Sequence, residues 1–156
     1  MKLKIFFSWQ TASDTEHLHN KPFILSCIGK AVGEIANKGQ LKGVWFEVQE
    51  GTTHVAGTPE MIATCERRID ECHIFIADFT VERRFDSSEM ELLTREGKQL
   101  REDQNTNVAY EFGRASHRLS AEQIITVMNT VNGSPEEDEK RSLAIDFRHR
   151  RWPITF

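Results

Sequence analysis

The sequence predicts one α/β domain built on a doubly wound parallel sheet of about five strands in the order 2-1-3-4-5. Short apolar runs alternate along the chain with longer segments of helical periodicity. The runs are continuously apolar, as expected of strands covered on both faces, rather than alternating apolar with polar. A chain of 156 residues also has enough material for a single core, since about 150 residues bury roughly 68–70% of their unfolded surface.

The first strand is read at Lys4 to Trp9. From Pro22 the positions Phe23, Ile24, Cys27, Ile28, Ala31, Val32, Ile35 and Ala36 recur at helical spacing, and Asn37-Lys38-Gly39 supplies the stop. Gly43 to Val48 forms a second strand, followed by the polar, glycine-containing loop Glu50 to Gly57. Thr58-Pro59 then opens a helix in cap and first-turn positions, with Met61, Ile62, Cys65, Ile69 and Cys72 as its apolar stripe. His73 to Asp78 is the third strand.

The stretch from about 81 to 106 is densely charged and reads as an insertion, with an exposed helix over Ser88 to Arg101. Thr106 or Asn107 caps a helix running through His117, and Gln123 to Met128 is a fourth strand of β-branched residues. Ser134-Pro135-Glu136-Glu137 starts a short helix, which leaves Leu143 to Phe156 for a final strand or strand pair. This is a flavodoxin-like arrangement, and residues 1–156 are read as one domain. The apolar finish Trp152-Pro153-Ile154-Thr155-Phe156 suggests the amino-terminal domain of a longer protein.

The composition, 38% hydrophobic and 28% charged, is that of a globular protein. No apolar run approaches the ~20 residues that span a bilayer, and the first residues lack a signal peptide's apolar stretch, so a cytoplasmic protein without membrane contact is expected. Cys27, Cys65 and Cys72 have no metal-ligand spacing and are read as buried structural thiols, with no metal expected. A net charge of −4 argues against a nucleic-acid surface, and the run Arg148-His149-Arg150-Arg151 is read as a solvated edge.

In the 2-1-3-4-5 order a ligand binds where strands one and three diverge, beside the start of the helix at Asn107. Glu111 lies one turn inside that helix among Val108, Phe112 and Ala115, either as a surface acid favoured by the helix dipole or as a carboxylate of the crevice. One fixed carboxylate in an aromatic crevice suits the breaking of a ribosyl C–N bond, which passes through an oxocarbenium-like cation. Ser8 and Gln10 are placed to hydrogen-bond ribose or phosphate, or to satisfy backbone groups. Trp9 is placed to stack on a base or to close the core. Asp78 either holds a ribose hydroxyl or caps its turn through Thr80, and Asn107 is a helix cap before it is a ligand contact. His54 has no visible partner and is left out of the catalytic set.

Five segments together resemble the motifs of prokaryotic TIR-like domains, which accompany anti-phage defence. They are Phe6-Phe7-Ser8-Trp9-Gln10, Gly57-Thr58-Pro59-Glu60, Phe75-Ile76-Ala77-Asp78-Phe79-Thr80, Asn107 to Ala115 and Phe147 to Arg151, and they keep the family's order over nearly the whole chain. The resemblance implies an NAD-consuming glycohydrolase, in some members forming cyclic ADP-ribose, with Glu111 catalytic and NAD or a related nucleotide as substrate rather than cofactor. The same helix pattern is more distantly similar to that of nucleoside deoxyribosyltransferases, which also act on N-glycosidic bonds. The family further implies self-association through the 51–57 loop and a fused or separate sensor domain. A non-catalytic interaction or nucleotide-sensing module is the alternative function, and a nucleoside or nucleotide N-glycosidase is the third.

Overall fold

The computed structural model describes residues 1–10, 20–39, 41–53, 55–57, 60–81, 95, 105–132, 134 and 153–156. Its strands are β1 (Lys2–Ser8), β2 (Trp45–Gln49), β3 (Ile74–Asp78), β4 (Ile124–Met128) and β5 (Ile154–Thr155). Its long helices are α1 (Asn20–Asn37), α2 (Met61–Glu71) and α3 (Thr106–Arg118). All five strands are parallel and ordered β2-β1-β3-β4-β5, so the predicted topology is present in full.

Right-handed crossovers explain why the two faces are unequal. The chain steps from β1 outward to β2 through α1, then returns across β1 to β3 through α2 and on to β4 through α3. The opposite direction of travel puts α1 on one face and α2 with α3 on the other. Strand alternation follows suit. Phe6, Phe75, Ala77 and Phe79 pack with Cys65 and Ile69 of α2 and with Val108, Phe112 and Ala115 of α3. Ile5, Phe7 and Ile76 pack with Ile24 and Ile28 of α1. Phe6 and Phe75, partners in register, stack at 5.9 Å, and Phe79 meets Phe112 edge-on at 5.0 Å.

Several sequence expectations shift. β1 begins at Lys2 and ends at Ser8, which puts Trp9 just past the strand, and α1 begins at Asn20 rather than Pro22. The α2 stripe runs through Thr64, Cys65, Arg68 and Ile69, while Met61 and Ile62 are exposed. Glu60 occupies the α2 cap position, and Thr58-Pro59 lies outside the described residues. The ends of the charged stretch belong to the core fold, because Val81 is fully buried and Thr106 is the first residue of α3. Of the predicted 88–101 helix only Arg95 is described, and it is helical. The helix from Ser134, the strand from Leu143 before Ile154, His54 and the Arg148 to Arg151 run fall outside the described residues, apart from Ser134 itself.

Cys65 and Cys72 are buried as expected, but Cys27 is exposed. It sits on the flank of α1 that, with Phe23, Ile35, Ile125, Ile154 and Phe156, lines an apolar groove of about 410 Å³. Burial also pushes the thiols of Cys65 and Cys72 upward, the former to about 11. Brief iodoacetamide treatment of the native protein is therefore expected to label Cys27 and spare Cys65 and Cys72, read as the modified peptide by mass spectrometry. No helix among the described residues is long and apolar enough to cross a membrane.

Candidate functional site

The carboxyl ends of β1 and β3, the loop after β2 and the first turns of α2 and α3 meet at the topological switch point. Glu111 enters this region from α3. Its helix starts at Asn105, whose side chain accepts from the backbone N–H groups of Asn107 at 2.9 Å and Val108 at 3.3 Å. Asn105 is thus the cap, not Thr106 or Asn107, and Asn107 itself is exposed. Three consecutive polar residues able to cap stand at 105–107, and the geometry selects the first. Asn105→Ala is expected to lower stability by about 1 kcal/mol, read from urea denaturation.

Val108, Phe112 and Ala115 anchor α3 in the core, which leaves Glu111 half-buried beside Ser8 of β1 and Cys65 of α2. Burial raises the Glu111 pKa, and the Ser8 hydroxyl and Cys65 thiol partly oppose this as donors. Ser8 is 1% exposed, and its Oγ completes no hydrogen bond of full geometry. A desolvated carboxylate edged by neutral donors can face a developing positive charge without a built-in cation to cancel it.

Asp78 and Thr80 belong to a second, tighter network. Asp78 Oδ1 accepts from the Thr80 amide at 3.0 Å and from its hydroxyl at 2.5 Å. Thr80 Oγ1 in turn accepts from Asn20 Nδ2 at 3.0 Å and from the Asn129 amide at 2.9 Å. Asn129 Nδ2 donates to Asn20 Oδ1 at 2.7 Å, closing the set, and Gln10 Nε2 donates to the Thr80 carbonyl at 2.5 Å. Gln10, Asn20, Asp78 and Thr80 are all at most 1% exposed. Of the two readings open for Asp78 in the sequence, the turn cap through Thr80 is the contact observed, and it ties β3 to α1 and to the end of β4.

Trp9 follows the alternation of Ile5 and Phe7 and packs with the α1-side cluster, away from the face that carries Ser8. Its ring is covered by Lys21, whose Nζ stands 3.8 Å from the ring centroid and pairs with Glu50 at 2.8 Å. Core closure is thus visible, and one ring face is taken by a lysine. Ser8 lies beside Glu111, whereas Trp9 packs with the α1-side cluster and Gln10, Asp78 and Thr80 belong to the buried network around Thr80.

Two residues at this site were not singled out from the sequence. Cys65 was read as core alone. Arg68 is 7% exposed and donates to the carbonyls of Glu50 at 3.1 Å, Gly51 at 2.8 Å and Thr53 at 2.6 Å. It clamps the 50–53 turn, in which Gly51 takes the positive φ of 43° that a side chain disfavours. The available signal was spacing, since Arg68 falls three residues after Cys65 and one before Ile69, inside an apolar stripe. Among the described residues no group of three or more His, Cys, Asp or Glu side chains is placed to hold a metal ion.

No protein-family model matches the sequence, and no curated protein matches it.

Proposed function

We propose that the chain is an NAD+ glycohydrolase that cleaves the nicotinamide–ribosyl bond, active once the domain self-associates. The observation that carries this is the half-buried Glu111 carboxylate near the topological switch point, its pKa raised by burial, beside Ser8 and Cys65 among the described residues. The TIR-like motif order supports the choice of substrate class.

In this reading the ribose C1′–N bond breaks and its electron pair passes to the pyridinium ring, so nicotinamide leaves as a neutral molecule. No acid is needed to protonate it. Glu111 supports the ribosyl cation electrostatically or by a transient covalent bond, and water then attacks C1′ and gives up a proton, yielding ADP-ribose. Attack by the adenine ring instead of water gives the cyclic product. Arg68 and the Lys21–Glu50 pair set the loop at the crevice, and self-association through residues 51–57 is the proposed trigger. A role in anti-phage defence rests on the resemblance.

The test is nicotinamide release from NAD+ across a range of protein concentration, with and without a crowding agent. The rate per molecule is expected to rise with concentration, and Glu111→Ala is expected to abolish it. Activity that survives Glu111→Ala removes the assignment. A thermal-shift rise with NAD+ and no product from assembled protein assigns the site to nucleotide sensing instead.

A further inference from the structure

We propose that the apolar groove on the α1 face of the sheet is closed in solution by the same groove of a second copy, giving a two-fold dimer whose α1 helices run antiparallel. The proposal is independent of the part assigned to Glu111. The groove lies on the opposite face of the sheet from α3, and no residue of the 51–57 loop lines it.

The groove, of about 410 Å³, is walled by α1 on one side and by β4 and β5 on the other, and no side chain lining it carries an oxygen or a nitrogen. The sequence of β4 shows that this face is built for burial. Ile124 packs with the α2 and α3 cluster, while Ile125 and Val127 alternate to the α1 face, the pattern of a strand covered on both sides. Yet Ile125 is 36% exposed, and Ile154, the register partner of Val127, is 60% exposed. The walls are also preformed. Phe156 is fixed by backbone bonds with Met128 and Thr130, each 3.1 Å, and its ring stacks on Phe23 of α1 at 4.9 Å.

Charge identifies the occupant. Phe23, Cys27, Lys30 and Glu34 stand at i, i+4, i+7 and i+11, so they share the flank of α1 that borders the groove. Lys30 and Glu34 are exposed, and neither makes an ion pair among the described residues. A second α1 laid antiparallel, about a two-fold axis near Val32, sets Lys30 against Glu34 of the second copy and Glu34 against its Lys30. One patch thus supplies both halves of two attractive contacts, as an isologous interface requires. A partner of a single charge sign would be repelled by one of the two residues. Because an isologous contact closes on itself, this surface yields a dimer and not a filament.

The experiment is sedimentation velocity without NAD+, over a range of concentration, on wild type, Lys30→Glu, Glu34→Lys, the double exchange and an equimolar mixture of the two single variants. Wild type is expected to pass from monomer to dimer as concentration rises, and the alkylation of Cys27 seen in dilute protein is expected to slow in step. Each single variant sets like charges against each other and is expected to dimerise about tenfold more weakly. The double exchange is expected to restore the dimer. So is the mixture, as a heterodimer, because one variant is acidic at both positions and the other basic at both. Ile154→Asp probes the groove itself and is expected to hold the chain monomeric.

Wild type that stays monomeric at every concentration overturns the proposal. A dimer of equal strength in both single variants overturns it as well, as does a pair of single variants that mixing does not rescue. A monomer that takes up a fluorescent apolar dye with protection of Cys27 assigns the groove to a small apolar ligand instead.

Discussion

Glu111→Gln is expected to release nicotinamide at least about 100-fold more slowly than wild type, the order of effect seen when one preorganised electrostatic group is removed from a reacting centre. The amide keeps the shape and can still meet Ser8 and Cys65, but it brings no negative charge to the ribosyl cation. The same variant is expected to melt higher than wild type at neutral pH. Burial raises the Glu111 pKa, so the folded state binds this proton more tightly than the unfolded chain does. The contribution is fully present below the unfolded pKa and is lost as pH rises through the folded one. The melting-temperature gap between Glu111→Gln and wild type should therefore widen from acid to neutral pH, as followed by circular dichroism. Slower turnover with higher stability distinguishes a site carboxylate from a surface acid, whose removal changes neither.

Arg68→Met is expected to cost on the order of 3 kcal/mol, at the upper end for hydrogen bonds made by a charged group, and to lower the melting temperature by roughly 10 °C. Methionine retains much of the apolar volume, so the loss reports the three bonds to the carbonyls of Glu50, Gly51 and Thr53 rather than a cavity. Released from the clamp, the amides of Thr53 and Val55, which bond to Glu50 and Thr52 within the turn, should exchange hydrogen faster. Unchanged exchange there, with an unchanged melting temperature, would show that the turn stands without Arg68.

The strand order was legible because the physics that sets it is local. Ile5-Phe6-Phe7 and Phe75-Ile76-Ala77 are continuously apolar, both faces of a parallel sheet demand that, and handed crossovers leave few ways to connect five such runs. The half-buried position of Glu111 was legible for a related reason. A carboxylate spaced between Val108, Phe112 and Ala115 lies at the border of a helix's buried stripe, close to the switch point.

What the sequence left open depends on contacts between distant segments. Nothing near Asp78 shows that Thr80 Oγ1 will also serve Asn20 and Asn129, which come from α1 and the end of β4. Nothing near Trp9 shows that Lys21 will cover its ring on the way to Glu50. Cys65 looked like one more core thiol because its nearness to Glu111 appears only when α2 and α3 are laid side by side. Arg68 sits next to Arg67 in a charged stretch, and only its place in the helical stripe separates the buried residue from the exposed one.

The most direct measurement of the central claim is the pH dependence of nicotinamide release by assembled protein, wild type against Glu111→Gln. Wild type is expected to gain activity along an acid limb centred above the ordinary glutamate range, because Glu111 must ionise against its burial. Glu111→Gln is expected to show neither the limb nor the rate. A Glu111→Gln variant that releases nicotinamide at the wild-type rate with the same pH profile would contradict the account.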